Sequence, residues 1–147
     1  MYDYSNPLLI TYSIPIAETT AATRAIRGPK GLTGRVQDIV LDASVNFAAT
    51  TTPGAVVVET LAAAATQVVY AACDTGTAAA PLTTITSAAA SVGGVTPSRT
   101  VTATGTNAGI LFNHELPANT AIRVSTIAGV GGTPAGVGEA HITIGWY

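Results

Sequence analysis

Charge is scarce in this sequence. Charged residues make up 10% of the 147-residue chain, against about a quarter of an ordinary soluble domain. Ala and Thr, together about a third of the chain, stand where the Lys and Glu that keep a free protein soluble would be. A surface this neutral suits a subunit covered by its neighbours; a secreted β-protein coated in Ser and Thr is the other reading of the same composition. A formal net charge of −2 provides no field to draw the chain onto nucleic acid or an acidic membrane, and neither is expected as a partner. The single Cys, Cys73, excludes an intrachain disulfide, and no Cys/His spacing suits zinc, so no metal and no cofactor is expected. Long apolar runs are missing too. Residues 75–98 carry no charge, yet Leu82, Ile85, Val92 and Val95 are their only larger apolar side chains, far from the roughly 20 apolar residues of a membrane span. The first residues, Met1 to Pro7, lack the basic start and apolar core of a signal peptide, so the chain is expected to stay where it is made.

What the sequence does have is strand signal. Leu8, Ile10, Tyr12, Ile14 and Ile16 alternate with Thr11, Ser13 and Pro15, the period of a strand with one apolar face. Pro15 cannot donate to a ladder, which either places this strand at a sheet edge or ends it there. Arg24 to Arg27 reads as a short strand entering a Gly28–Gly31 turn. Ile39, Leu41, Ala43, Val45 and Phe47 form a second inward row, with Asp38, Asp42, Ser44 and Asn46 outward. Residues 50–54 read as a turn or kinked edge, 55–61 as a buried strand, 62–65 as a turn of helix or a loop, and 68–73 as strand again. Residues 75–97 form a long low-complexity excursion with one strand near Leu82 to Thr86. Strand character returns at Arg99 to Thr104. Ile110, Phe112, His114 and Leu116 then share one face, and Ile122, Val124, Thr126 and Ala128 the next. A linker from Gly129 to Gly138 precedes a last strand with Ile142, Ile144 and Trp146. Eight to ten short strands between Gly/Pro turns predict an all-β chain, residues 1–147 forming one antiparallel two-sheet sandwich of jelly-roll type.

Catalytic patterns fail one by one. His114-Glu115 opens like a metalloprotease motif, but Leu116 and Pro117 follow, with no second His and no helix. The pattern makes His114 a core or rim residue and leaves His141, opposite Ile142 and Trp146, exposed or at a subunit contact. Cys73 has no partner motif for a nucleophile and reads as a small buried hydrophobe. The eight carboxylates are scattered singly, so no acid/base pair stands out. The glycines of 28–34 lack the Gly-Lys-Ser/Thr order and the following helix of a phosphate loop. No catalytic, cofactor-binding or metal residue is assigned, and an enzyme is not expected.

Two segments are candidate contacts. Arg24, Arg27, Lys30 and Arg35 hold four of the six positive charges with no acid among them. They form either a solvated turn or an electrostatic latch for acidic groups on a neighbour. Tyr2 and Tyr4, ahead of Pro7, make an N-terminal arm over 1–7 that either anchors an interface or folds back along its own sheet.

Several of these stretches together resemble a family. The extended N-terminal segment, the Arg27-Gly28-Pro29-Lys30-Gly31 turn, the strand Gly34-Arg35-Val36-Gln37-Asp38-Ile39, Thr51-Thr52-Pro53 before a Val-rich strand, and the close Ile142-Thr143-Ile144-Gly145-Trp146-Tyr147 are similar to small jelly-roll structural proteins of tailed-phage heads. That resemblance spans most of the chain and implies a decoration, or cement, protein. It would be made in the host cytoplasm, sit on the outside of the head as a homotrimer over junctions of the major capsid protein, and carry no catalytic residues. The 75–97 excursion has no counterpart in that pattern. The competing reading is a carbohydrate- or receptor-binding jelly roll, which needs exposed aromatics that a 5% aromatic content scarcely supplies.

Overall fold

In a computed structural model, residues 6–45, 47–52, 54–60, 69–75, 82–84, 109–111 and 114–147 are described. Eleven strands occupy them: β1 Leu8–Ala17, β2 Ala22–Arg27, β3 Gly34–Val45, β4 Ala49–Thr52, β5 Ala55–Thr60, β6 Val69–Asp74, β7 Leu82–Thr84, β8 Gly109–Leu111, β9 Ala121–Ile127, β10 Val130–Gly132 and β11 Val137–Trp146. Their pairing is nested. β5 pairs with β6, β3 with β7, β2 with β9 and β1 with β11, all antiparallel. Such a chain is one long hairpin folded over on itself, and folding it gives two sheets, β1-β11-β3-β7 and β2-β9-β5-β6-β8. This is the strand order of a jelly roll, with β8 added to one edge and a β4–β10 ribbon at one end.

One apolar cluster joins the inner faces of both sheets. Ile14, Ile16, Ile39, Leu41, Ile142 and Ile144 come from the first, and Val56, Val58, Cys73, Ile122 and Val124 from the second. Period two explains most of it, since β9 alternates strictly between half-buried and buried positions from Ala121 to Thr126. β1 lies at a sheet edge, pairing with β11 alone among the described residues, as Pro15 requires.

β3 breaks the simple alternation. Its partners step from Val36 to Asp38 opposite Ile144 and Thr143, leaving Gln37 as an extra residue. This bulge moves the inward set from Gly34 and Val36 to Ile39 and Leu41. A second irregularity leaves Ser44 extra opposite Val137 and Gly138. It turns Val45 outward, 49% exposed, where an unbroken alternation places it in the core.

Three more expectations are corrected. The Gly129 to Gly138 stretch is not a plain linker, because β10 forms within it and β11 begins at Val137. Glycine at 131 and 132 adopts positive φ, which lets so short a strand turn back. Of the two readings of residues 50–54, a turn or a kinked edge, the turn is overturned: 49–52 are strand β4, in a two-stranded ribbon with β10. His114 is exposed and outside any strand, which excludes the core placement, while Leu116 is buried and bridges Gly34. The expectations at 62–65 and at Arg99 to Thr104 lie outside the described residues, as does most of the 75–97 excursion; β7 falls at Leu82–Thr84 within it.

Candidate interaction surface

The basic segment follows from the first turn of the jelly roll. β2 is the edge of the five-stranded sheet, and its register with β9 sets Arg24 opposite Val124 and Arg27 opposite Ala121. Val124 faces the core, so Arg24 leans toward the inner side of the edge while Arg27 lies on the outer face. Both are exposed, as is Lys30 in the following turn.

That turn is held firmly. Gly31, at φ 83°, donates its N–H to Asn119 Oδ1 at 2.9 Å. Thr33 and Tyr147 exchange backbone bonds of 3.0 Å in both directions, and Gly34 and Leu116 exchange bonds of 3.1 and 2.7 Å. Gly28 and Gly34 both lie flat against the Trp146 ring, where a Cβ at either position would overlap it.

Arg35 is different from the other three. It is half-buried on β3 beside Tyr147, whose hydroxyl donates to Glu115 Oε1 at 3.1 Å. Burial first, then the Glu115 carboxylate, pushes the Tyr147 hydroxyl up, and the neighbouring Arg35 pulls it back. Arg35 therefore serves a local cluster, while Arg24, Arg27 and Lys30 remain at the surface, not gathered on one face. Tyr2 and Tyr4 lie outside the described residues.

The two most constrained acids escaped the sequence reading. Glu18, 2% exposed, follows β1 and caps three connections at once. Its carboxylate accepts N–H bonds from Ala48 at 2.8 and 2.9 Å, Ala49 at 2.6 Å, Ala135 at 3.0 Å and Gly136 at 2.8 Å. Burial raises this carboxyl, but the bonds from Ala48, Gly136, Ala49 and Ala135 outweigh it and hold it below the usual carboxylate range. One signal was legible: Glu18 continues the even-numbered inward row of Ile14 and Ile16. Glu59, also buried, accepts from Arg123 Nε at 2.6 Å and Ser125 Oγ at 2.7 Å. No spacing announces that pair, because β5 and β9 meet only in the folded sheet.

Apolar side chains mark both ends of the sandwich. Val45 and Val137 face each other across β3 and β11 at 49% and 44% exposure, and Ile127 and Val130 border the same Glu18-tied end. At the other end, beside Gly145 and Trp146, Leu8 and Leu9 are 53% and 61% exposed. The described aromatic side chains turn the other way: Phe47, Tyr70 and Trp146 are buried, and Tyr12 and Tyr147 half-buried.

Among the described residues no group of His, Cys, Asp and Glu could hold a metal ion. Cys73 is a free, buried thiol inside the core. His141 reaches Ser13 Oγ with Nδ1 at 2.8 Å, and Glu139 lies 3.8 Å from its Nε2. No helix among the described residues is long and apolar enough to cross a membrane. Comparison with family models, with curated proteins and with solved structures finds no match to this chain.

Proposed function

We propose that this chain is a structural, non-enzymatic subunit that binds the outside of a tailed-phage head, bridging junctions of the major capsid protein as a homotrimer. The observation that carries the reading is the pairing of a jelly roll with a surface that is short of charge and apolar at both ends. A free monomer has no use for Val45 and Val137 side by side in solvent, whereas a subunit seated on a lattice buries them. Binding across a junction stabilises the assembled shell by mass action, because the dissociated shell protein offers no such composite site. A three-fold junction calls for a cyclic trimer.

The carbohydrate-binding alternative gains little from the described surface, since sugar recognition favours exposed aromatic faces and the described aromatic side chains are buried or half-buried. The test is a density map of heads assembled with and without the chain. Added density over capsid junctions, with heads that withstand higher temperature, is the expected result. Heads that neither bind the chain nor gain stability refute the reading. A Val137→Asp variant separates the attached end from the rest, and it should bind at least tenfold more weakly while folding normally, through the cost of burying an unpaired carboxylate.

A further inference from the structure

β1 is a ten-residue edge strand, and among the described residues its outer side is unpaired except at its last residue, where Ala17 O accepts the Thr20 N–H at 3.2 Å. Its register tells which backbone groups are free. The Glu18 N–H donates to Gly136 O at 2.8 Å, and the pairing continues without a bulge through Ile16–Gly138, Ile14–Ala140, Tyr12–Ile142 and Ile10–Ile144. Hydrogen-bonded and non-bonded pairs alternate in an antiparallel ladder, so even-numbered residues bond to β11. Leu9, Thr11 and Ser13 therefore turn their N–H and C=O groups outward. Pro15 stands in the same outward row, where its missing N–H costs the β11 ladder nothing. Pro7 occupies the matching place before the strand.

Natural edges carry protection, and β1 has little. β2, the edge of the other sheet, holds Arg24 and Arg27, and the opposite edges β7 and β8 are three residues each. From Leu8 to Ala17 there is no charge and no bulge, and Leu9 is 61% exposed.

We infer that β1 pairs with β1 of a second copy of the chain, antiparallel across a two-fold axis at Thr11. The sequence is self-complementary about that point. Pro7 and Pro15 lie four residues to either side of Thr11, so this register sets each proline opposite the other, where neither has a hydrogen to give. Between them Leu9 meets the partner's Ser13 and Thr11 meets the partner's Thr11, giving about six backbone bonds. A shift to the next register would set Pro15 opposite an outward C=O for which it has no N–H to donate. On the outer face Thr11 packs on its own copy, a favourable cross-strand pair. On the inner face the half-buried Ile10 and Tyr12 cover each other between subunits. The two four-stranded sheets become one continuous sheet, and the contact is isologous and closed.

This pairing concerns the free chain, whereas the homotrimer proposed above forms on the shell at the three-fold junction, so the two contacts are different and fail separately. Sedimentation of the purified chain should show a concentration-dependent species of twice the 14.7 kDa chain mass. Thr11→Pro removes the outward N–H at the axis without touching the β11 ladder, and should leave a folded monomer with unchanged circular dichroism. The register is read by cysteine. Facing Cα atoms in a bonded pair lie about 5.5 Å apart, within disulfide reach. Thr11→Cys should therefore oxidise to a covalent dimer, whereas Leu9→Cys and Ser13→Cys each face the wrong residue and should not; the native Cys73 is buried. A chain that stays monomeric at every concentration overturns the inference. So does an oligomer that survives Thr11→Pro, or a Ser13→Cys chain that crosslinks as fast as Thr11→Cys. Should Thr11→Pro unfold, the cysteine series still decides.

Discussion

Glu18 and Gly136 bond to each other twice: the Glu18 N–H donates to Gly136 O, and the Gly136 N–H donates to the Glu18 carboxylate, both at 2.8 Å. The first bond extends the β1–β11 ladder by one step. The second turns the end of that ladder into a clamp, because the same carboxylate also takes the N–H groups of Ala48, between β3 and β4, of Ala49, which opens β4, and of Ala135. One acid thus holds three crossings of the jelly roll together where the backbone would otherwise leave buried donors unmatched.

Glu18→Ala should therefore cost about 3 to 4 kcal/mol, since several buried N–H groups lose their acceptor at once. Urea denaturation of the two proteins measures it. The pH dependence has a definite sign. The folded carboxyl is held below the ordinary value of 4.5, so between the folded and unfolded values the unfolded chain binds more protons. The contribution is complete above the unfolded value and is lost as pH falls through the folded one. Asp38, whose carboxyl burial pushes up, acts in the opposite direction. The readout is thus the difference between parent and Glu18→Gln, which should shrink steadily below pH 4.5.

Trp146 closes the other end. Gly28 and Gly34 admit its ring because they have no Cβ, and neither has a positive φ, so the requirement is one of space. Gly28→Ala should cost about 1 to 3 kcal/mol through overpacking. In the smaller-ring variant Trp146→Leu the same alanine should cost less, and a double-mutant cycle reports that coupling. Equal costs in both backgrounds would mean that the turn, not the ring, sets the penalty.

The strands with strict alternation were the ones readable from sequence. β1, β9 and the apolar row of β11 follow period two, and the edge position of β1 is written in Pro15. The same logic misplaced Val45, because the extra residues Gln37 and Ser44 change which side faces in, and a bulge is set by the partner strand. Glycine hid β10 and the start of β11, since Gly supplies no side chain to mark a face. The basic cluster was visible as composition but not as geometry. Arg24 and Arg27, three apart on β2, fall on opposite sides of the strand, and only folding brings Arg35 to Tyr147 and Glu115.

One cross-strand pair works against the fold. Asp42 and Glu139 face each other in register on the outer side of the four-stranded sheet, and both are exposed. Like charges directly opposite destabilise a sheet. Glu139→Lys should reverse the sign of that contact and raise stability by about 0.5 kcal/mol. Thermal unfolding at low and high salt checks it, because the gain must shrink as salt screens the pair.

Glu59 gives the opposite case. It is buried on the outer face of the five-stranded sheet, with Arg123 directly across the ladder and Ser125 beside it. Removing Arg123 strips a buried carboxylate of its ionic partner, so Arg123→Ala should cost about 3 kcal/mol. Arg27→Ala, one strand over on the exposed edge, should cost under about 0.5 kcal/mol.

That contrast makes the latch testable. Arg27 and Lys30 are exposed, so Arg27→Glu and Lys30→Glu should leave the melting temperature nearly unchanged. If these cations meet acidic groups on the shell, reversing either charge replaces attraction with repulsion and should slow attachment to heads by about tenfold at low salt, with the difference fading as salt rises. Arg35→Glu is the informative control. Because Arg35 supports Tyr147 beside Glu115, its reversal sets two acids against one hydroxyl and should lower stability and attachment together. Attachment that is indifferent to Arg27 and Lys30 would reduce the segment to a solvated turn held by Gly31, Asn119 and Trp146.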